Sequence, residues 1–161
     1  MHENNEELNL QYLTFMMDSR LMGLPLVSVE QIVIVQAITP VPEMPDYCKG
    51  IMNLRGSIVP VIDLRLRFGS PEIPYGEKTS IIICRVDDQL IGCIVDYVED
   101  VLTVEEENIS AVPRVGGHAN AEFASGIARV ETADNTKIVL LLDANKLLRE
   151  GDFNTVVSAV Q

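Results

Sequence analysis

The sequence predicts a mainly β chain made of two related halves. Three observations carry that expectation. Runs of β-branched and aliphatic residues, among them IVIVQAI, SIVPVIDL and TSIIICRV, recur along the chain and are bounded by Asp, Gly, Pro and Ser. Several of these runs return in the same order later in the chain. Helical periodicity is clear only near the C-terminus.

The elements follow in order. Residues 1–9 are polar and acidic and read as a flexible tail. LQYLTFMM is a strand, Asp18-Ser19-Arg20 a turn, and LMGLPL resumes extended structure. VSVEQIV fits either a short helix or the start of a strand, and IVIVQAI is a strand. TPVPEMPDY holds three prolines and reads as an irregular crossing. KGIMNLRGSIVPVIDL gives two strands joined at Arg55-Gly56-Ser57. Pro60 lacks an N–H, which points to an edge strand or a bulge there. LRLRFGSPEIPYGEK supplies a short helical piece and a linker, dividing the chain into halves at 10–70 and 78–150.

The second half repeats the theme. TSIIICRV is a strand, Asp87-Asp88-Gln89 a turn and LIGCIVDYV a further strand. DVLTVEEENIS is partly extended, and AVPRVGGHANAEF is an exposed loop. FASGIARV and TKIVLLLD flank a turn at Thr132–Asn135, and Asp143 caps a short helix. Over 152–160, Phe153, Val156, Val157 and Val160 form one apolar stripe, predicting a C-terminal amphipathic helix.

Asp18-Ser19-Arg20-Leu21-Met22-Gly23 lies over Asp87-Asp88-Gln89-Leu90-Ile91-Gly92 without a gap. With other offsets, Gly50-Ile51 matches Gly126-Ile127, and the strand ending at Asp63 matches the strand ending at Asp143. Each β module alone is too small to bury much apolar surface, so the two are expected to pack together around a shared core.

Composition narrows the function. The chain has 161 residues, 47% hydrophobic and 22% charged, with no tryptophan. The formal charge of −12 disfavours nucleic acid and anionic membrane surfaces as partners. Cys48, Cys84 and Cys93 make no CxxC pair or even-numbered framework and read as free buried thiols. There is no signal-peptide pattern and no apolar run of the roughly 20 residues a membrane span needs, so a soluble intracellular protein without direct membrane insertion is expected.

No catalytic, cofactor or metal site is indicated. His2 and His118 lie in a tail and a loop, outside any HxH or HExxH pattern. Nucleophile elbows, P-loops and GxGxxG turns are missing. Glu105-Glu106-Glu107 reads as a solvated charge run. The feature that stands out is Asn53-Leu54-Arg55-Gly56, an arginine in a turn between apolar strands. Arginine presents a rigid fork of donors and is frequent at interface centres.

In its wider setting the turn becomes specific. KGIMNLRGSIVPVIDLRLRFG, residues 49–69, resembles the signature region of CheW-like domains. LTFMMDSRLMGLPLVSVEQI, LIGCIVDYVEDVLTV and SGIARVETADNTKIVLLLDANKLL resemble further family segments in the same order. The resemblance covers residues 10–148 and implies one CheW-like domain over 10–161. It implies two SH3-like five-stranded β barrels packed around a shared hydrophobic core, with short helices.

It further implies a non-enzymatic, cofactor-free adaptor. The partners would be the cytoplasmic tip of chemoreceptors and the regulatory domain of a CheA-type histidine kinase. The protein would be cytoplasmic and recruited to membrane receptor arrays through them. The alternatives are an adaptor for twitching or biofilm control, or a small-molecule sensor using a groove between barrels.

By resemblance, Arg55 is the receptor-coupling arginine, with Asn53 and Gly56 shaping its turn. Val29, Gln31 and Ile32 form a neighbouring contact segment. Gln31 stands where the family often has Glu, and Glu30, turned by about 100° if the segment is helical, does not substitute for it. Residue type alone favours core positions for Val29 and Ile32.

Overall fold

The structure, a computed structural model, describes residues 10–112 and 123–148. The expected tail, most of the glycine-rich loop with His118, and the expected helix over 152–160 lie outside the described residues. The first half carries strands β1 (Gln11–Met17), β2 (Arg20–Pro25), β3 (Val29–Ile34), β4 (Cys48–Leu54) and β5 (Ser57–Asp63), then helix α1 (Leu64–Arg67). The second half carries β6 (Ser80–Val86), β7 (Gln89–Val95), β8 (Tyr97–Thr103), β9 (Ile109–Ser110), β10 (Ala124–Glu131), β11 (Thr136–Leu142) and α2 (Ala144–Leu147).

The internal repeat has a structural counterpart at each matched point. Asp18-Ser19 and Asp87-Asp88 both adopt positive φ, between 50° and 63°, and close tight hairpins. Asp accepts this backbone region more readily than most residues. Gly50 and Gly126 each end a register shift, in β4 and β10. Asp63 accepts hydrogen bonds from the Arg65 and Leu66 amides, and Asp143 from those of Asn145 and Lys146. Both short helices therefore start on an aspartate cap.

The two sheets do not follow the two halves. One sheet runs β8-β1-β2-β11-β10-β9 and the other β3-β6-β7-β5-β4. Each places a hairpin from one half between strands of the other. Of the four joins between halves, two are antiparallel, β1 beside β8 and β3 beside β6, and two are parallel, β2 beside β11 and β7 beside β5. The chain changes sheet at corresponding places: through a 3-10 turn at Leu26–Ser28, and at Asp96. LIGCIVDYV is thus two strands in different sheets, broken at Asp96. VSVEQIV resolves into the end of that 3-10 turn followed by strand.

Each sheet curls into a barrel. The edges β8 and β9 are consecutive in the chain and form one bent strand around the 3-10 turn Glu106–Asn108. In the other sheet, the chain leaving β3 returns to β4. Thr39 and Ile51 exchange backbone hydrogen bonds of 2.8 and 2.9 Å. Counting each bent strand once, both barrels have five strands.

Pro60 does not mark an edge. β5 lies between β7 and β4, but its pairing with β7 covers only Val61–Asp63. At Pro60 the strand has β4 alone beside it, so the missing N–H is tolerated. The bulge lies in β4 instead.

Three apolar clusters follow from strand alternation. Val59, Val61, Ile81, Ile83 and Ile94 fill one barrel, and Tyr12, Val104, Ala128, Val139 and Leu141 the other. Intervening residues, including Phe15, Ile62, Ile82, Cys84, Cys93 and Leu142, form the shared core between barrels. Strands such as SIIICRV are apolar at consecutive positions because both of their faces are buried. Cys84 and Cys93 are free and buried as expected, whereas Cys48 is only half-buried.

Polar groups join the barrels at their margin. Arg65 makes two hydrogen bonds to the Asp96 carboxylate, of 2.9 and 2.8 Å, and a third of 3.2 Å to Asp18. The Asp18 amide donates to Asp96, and Ser70 donates to Asp18. The Ser70 hydrogen bond, with help from Arg65 and Arg20, holds the Asp18 carboxyl below its ordinary value. Arg67 lies 4.5 Å from the Tyr47 ring centre and 4.6 Å from that of Phe123, joining the first half to the second.

Candidate protein-interaction site

The β4–β5 hairpin builds the site. Asn53 ends the exposed face of β4, and its side-chain oxygen accepts the Gly56 N–H at 2.8 Å. That bond closes the turn over Arg55 and Gly56, whose φ values are +51° and +90°. A turn of this handedness favours Asn, Asp or Gly at its first central position. The other two-residue hairpin turns, Asp18-Ser19 and Asp87-Asp88, use aspartate at that position. Arginine gains nothing locally here and carries the cost of left-handed backbone. Its side chain is exposed, and among the described residues it takes part in no ion pair.

β3 lies at one end of its sheet, paired with β6. Its side chains alternate. Val29, Gln31 and Val33 are half-buried, while Glu30, Ile32 and Ile34 are exposed. Val29 packs against the shared core, as expected of it. Ile32 does not: it is 44% exposed and Ile34 76%. Strand periodicity decides this, because one step along a strand reverses the face.

For the same reason Glu30 and Gln31 differ by a face rather than by a helical step. Glu30 is outward and bonded to Arg85 at 2.6 Å, so the one charge on this stripe is already paired. The ladder to β6 shifts register between Val29 and Gln31, around Glu30.

The two segments belong to one barrel wall. Val33 of β3 and Leu54 of β4 pack against the same apolar cluster. Past β3, Gln36 donates to the Met52 sulfur at 3.9 Å, and Thr39 bridges Ile51. The structure therefore unites Asn53, Arg55 and Gly56 in one turn and sets Ile32 on the outer face of β3, while Val29 and Gln31 face inward.

Ile34 and Ile58 also belong to the exposed surface, Ile58 being 42% exposed. The alternation within IVIV carried the signal for Ile34. The repeat carries another. Ile58 corresponds to Ile138, and Ile32 to Val101, which are 59% and 41% exposed on the second barrel. The same two apolar positions thus lie open on both barrels.

Among the described residues, no group of three or more His, Cys, Asp and Glu side chains could hold a metal. No helix among them is long and apolar enough to cross a membrane. A cleft of about 470 Å³ beside β8 and β10 is open and lined by Thr103, Glu105, Asn108, Arg129, Val130 and Glu131, five of the six polar or charged. The space between the barrels is filled by the shared core.

The chain is thus a pair of barrels with exchanged hairpins, with apolar positions open on both outer walls. Residues 11–152 match the family model for the CheW-like domain, and the chain belongs to that family. It is 31% identical to the chemotaxis protein CheW of Klebsiella aerogenes over 143 residues, covering 89% of this chain and 84% of that one. It is 33% identical to the chemotaxis protein CheW of Treponema pallidum over 151 residues, covering 91% and 85%. The crystal structure of the scaffolding protein CheW from Thermoanaerobacter tengcongensis superposes with a TM-score of 0.77 at 32% identity, covering 89% of this chain and 90% of that one.

Proposed function

We propose that this protein is a non-enzymatic adaptor that couples chemoreceptors to a CheA-type histidine kinase in a chemosensory array. The observation that carries the reading is Arg55. An exposed arginine is held in left-handed backbone, where the turn would be more stable with asparagine or glycine. Unfavourable backbone kept at an exposed position marks a residue retained for contact. Family membership supplies the class of partner.

An adaptor needs more than one docking surface. The repeat provides two, the Ile32–Ile58 side of one barrel and the Val101–Ile138 side of the other. The first carries Arg55 and docks the receptor tip or the kinase regulatory domain, which it meets with a cation and an apolar strand face. Arrays rest on many contacts of modest strength, so each interface is expected to be near 800 Å² per partner. The protein is held at the membrane by these partners.

Calorimetry against the regulatory domain of a CheA-type kinase from the same genome tests the reading, beside chemotaxis of cells carrying variants. The wild type is expected to bind saturably. Arg55→Glu is expected to stay folded and lose coupling, with Lys146→Glu, an exposed position on α2 outside both apolar surfaces, as the charge-reversal control. Normal coupling by a folded Arg55→Glu protein would remove Arg55 from the site. Failure to bind any encoded CheA-type kinase would overturn the adaptor assignment.

A further inference from the structure

We propose that this chain has a second folded form, a dimer in which two copies exchange their halves across the turn Gly76–Thr79. The basis is the interleaving of the sheets. β6 and β7 sit between β3 and β5 of the other half, and β1 and β2 sit between β8 and β11. The shared core also draws on both halves, with Phe15, Ile62 and Leu64 from the first and Ile82, Cys93 and Leu142 from the second. Within the described chain, the halves are joined covalently by one linker.

The linker shows where exchange would occur. Its first part is fastened to the first half. Ser70 donates to Asp18 at 2.9 Å, Glu72 pairs with Lys49, and the Tyr75 hydroxyl donates to buried Asp63 at 2.8 Å. Lys78 already belongs with the second half, lying over the Tyr97 ring. Between these anchors the chain reverses in a turn held by two hydrogen bonds, Gly76 N–H to the Thr79 hydroxyl at 2.8 Å and Thr79 N–H to the Gly76 carbonyl at 3.3 Å. Gly76, Glu77 and Lys78 are exposed, and a Cβ built on Gly76 meets nothing within 4 Å.

If that turn opens, the first half of one copy completes the barrels with the second half of another. Every strand pairing and all three apolar clusters are rebuilt, and only the turn's own bonds are lost. Exchange of identical elements is a low-cost route to dimers for this reason. Pro71 and Pro74 stiffen the strap that leads into the hinge and favour an extended path. The halves interlock, so the two forms interconvert only through unfolding, and the proportion formed is set by chain concentration during folding.

The test refolds the full chain from denaturant at low and high concentration and measures mass by light scattering. A dimer fraction that rises with refolding concentration and persists after dilution is expected. Chains of two different masses should form mixed dimers when refolded together and none when mixed folded. Gln11 and Thr103 pair across the halves, so Gln11→Cys/Thr103→Cys gives the topological readout. After oxidation, the dimer fraction should be covalently linked between chains and the monomer fraction within one chain. Deleting Gly76 and Glu77 should move the chain largely to dimer. Monomer at every refolding concentration, or a dimer whose disulfides stay within each chain, would overturn the proposal.

Discussion

Replacing Gly50 with alanine tests how the first barrel closes. Gly50 has φ +136°, a region essentially confined to glycine, and an added Cβ would lie 2.0 Å from the Thr39 carbonyl oxygen and 2.7 Å from its carbon. Those are backbone atoms, so no rotamer change relieves the clash. The chain must withdraw Thr39 and give up both hydrogen bonds to Ile51. Backbone strain contributes about 1–3 kcal/mol, and two lost hydrogen bonds about 1 kcal/mol each. The expected destabilisation is about 3–5 kcal/mol, which for a chain of this size lowers Tm by roughly 6–20 °C.

Two further glycines separate the causes. Gly69 has φ +82° but open space around its would-be Cβ, so Gly69→Ala isolates the backbone effect. Gly126 has no such φ, but its Cβ would meet Ile109 Cγ2 at 2.8 Å and the Ser110 carbonyl at 3.1 Å, so Gly126→Ala isolates close approach in the other barrel. Urea denaturation of the three variants should place Gly50→Ala well below both. If Gly50→Ala matched Gly69→Ala within about 1 kcal/mol, the return of the chain to β4 would not be what closes the barrel.

Three more outcomes follow from local chemistry. Arg55→Asn should raise stability by up to about 1 kcal/mol, since asparagine suits left-handed backbone, while coupling in cells is lost; denaturant midpoints and swimming assays check the two halves of that statement. Asp63→Ala removes the cap of α1 and the acceptor of the Tyr75 hydroxyl, and about 2–3 kcal/mol should be lost in urea. Burial first, and then Asp63, push the Tyr75 phenol well above its ordinary value, and burial raises Tyr12. The folded state therefore holds these protons more tightly than the unfolded chain. Their contribution is complete below about pH 10 and falls as pH rises beyond it. Thermal melts should show a steeper alkaline loss for the wild type than for Tyr75→Phe, with the Tyr12 share remaining.

Much of the architecture was legible because it is chemically local. Asp18-Ser19, Asp87-Asp88 and Arg55-Gly56 announced hairpins, and aspartates after the strands announced short helices. These signals act within a few residues, where turn and cap preferences dominate. The Arg55 turn was visible both as an odd arginine between strands and as part of a family signature. Less legible was the face on which each residue of β3 lies. Ile32 reads as core by residue type, and only the pairing of β3 with β6 turns it outward. Pro60 likewise read as an edge or a bulge, until the short span of β5–β7 pairing showed how an interior strand accommodates it.

The sequence alone determined the hairpin turns, the aspartate caps, the internal repeat and the absence of catalytic motifs, since these rest on residue type and short-range geometry. Tertiary structure decided which hairpin enters which sheet. Joining β2 to β11 and β7 to β5 brings together segments far apart in the chain, and no local preference encodes such a choice. Burial does: either half alone leaves apolar faces on both sides of its strands exposed to water. Interleaving gives each of those strands one face in a barrel and one in the shared core, leaving Ile32, Ile34, Ile58, Val101 and Ile138 outside.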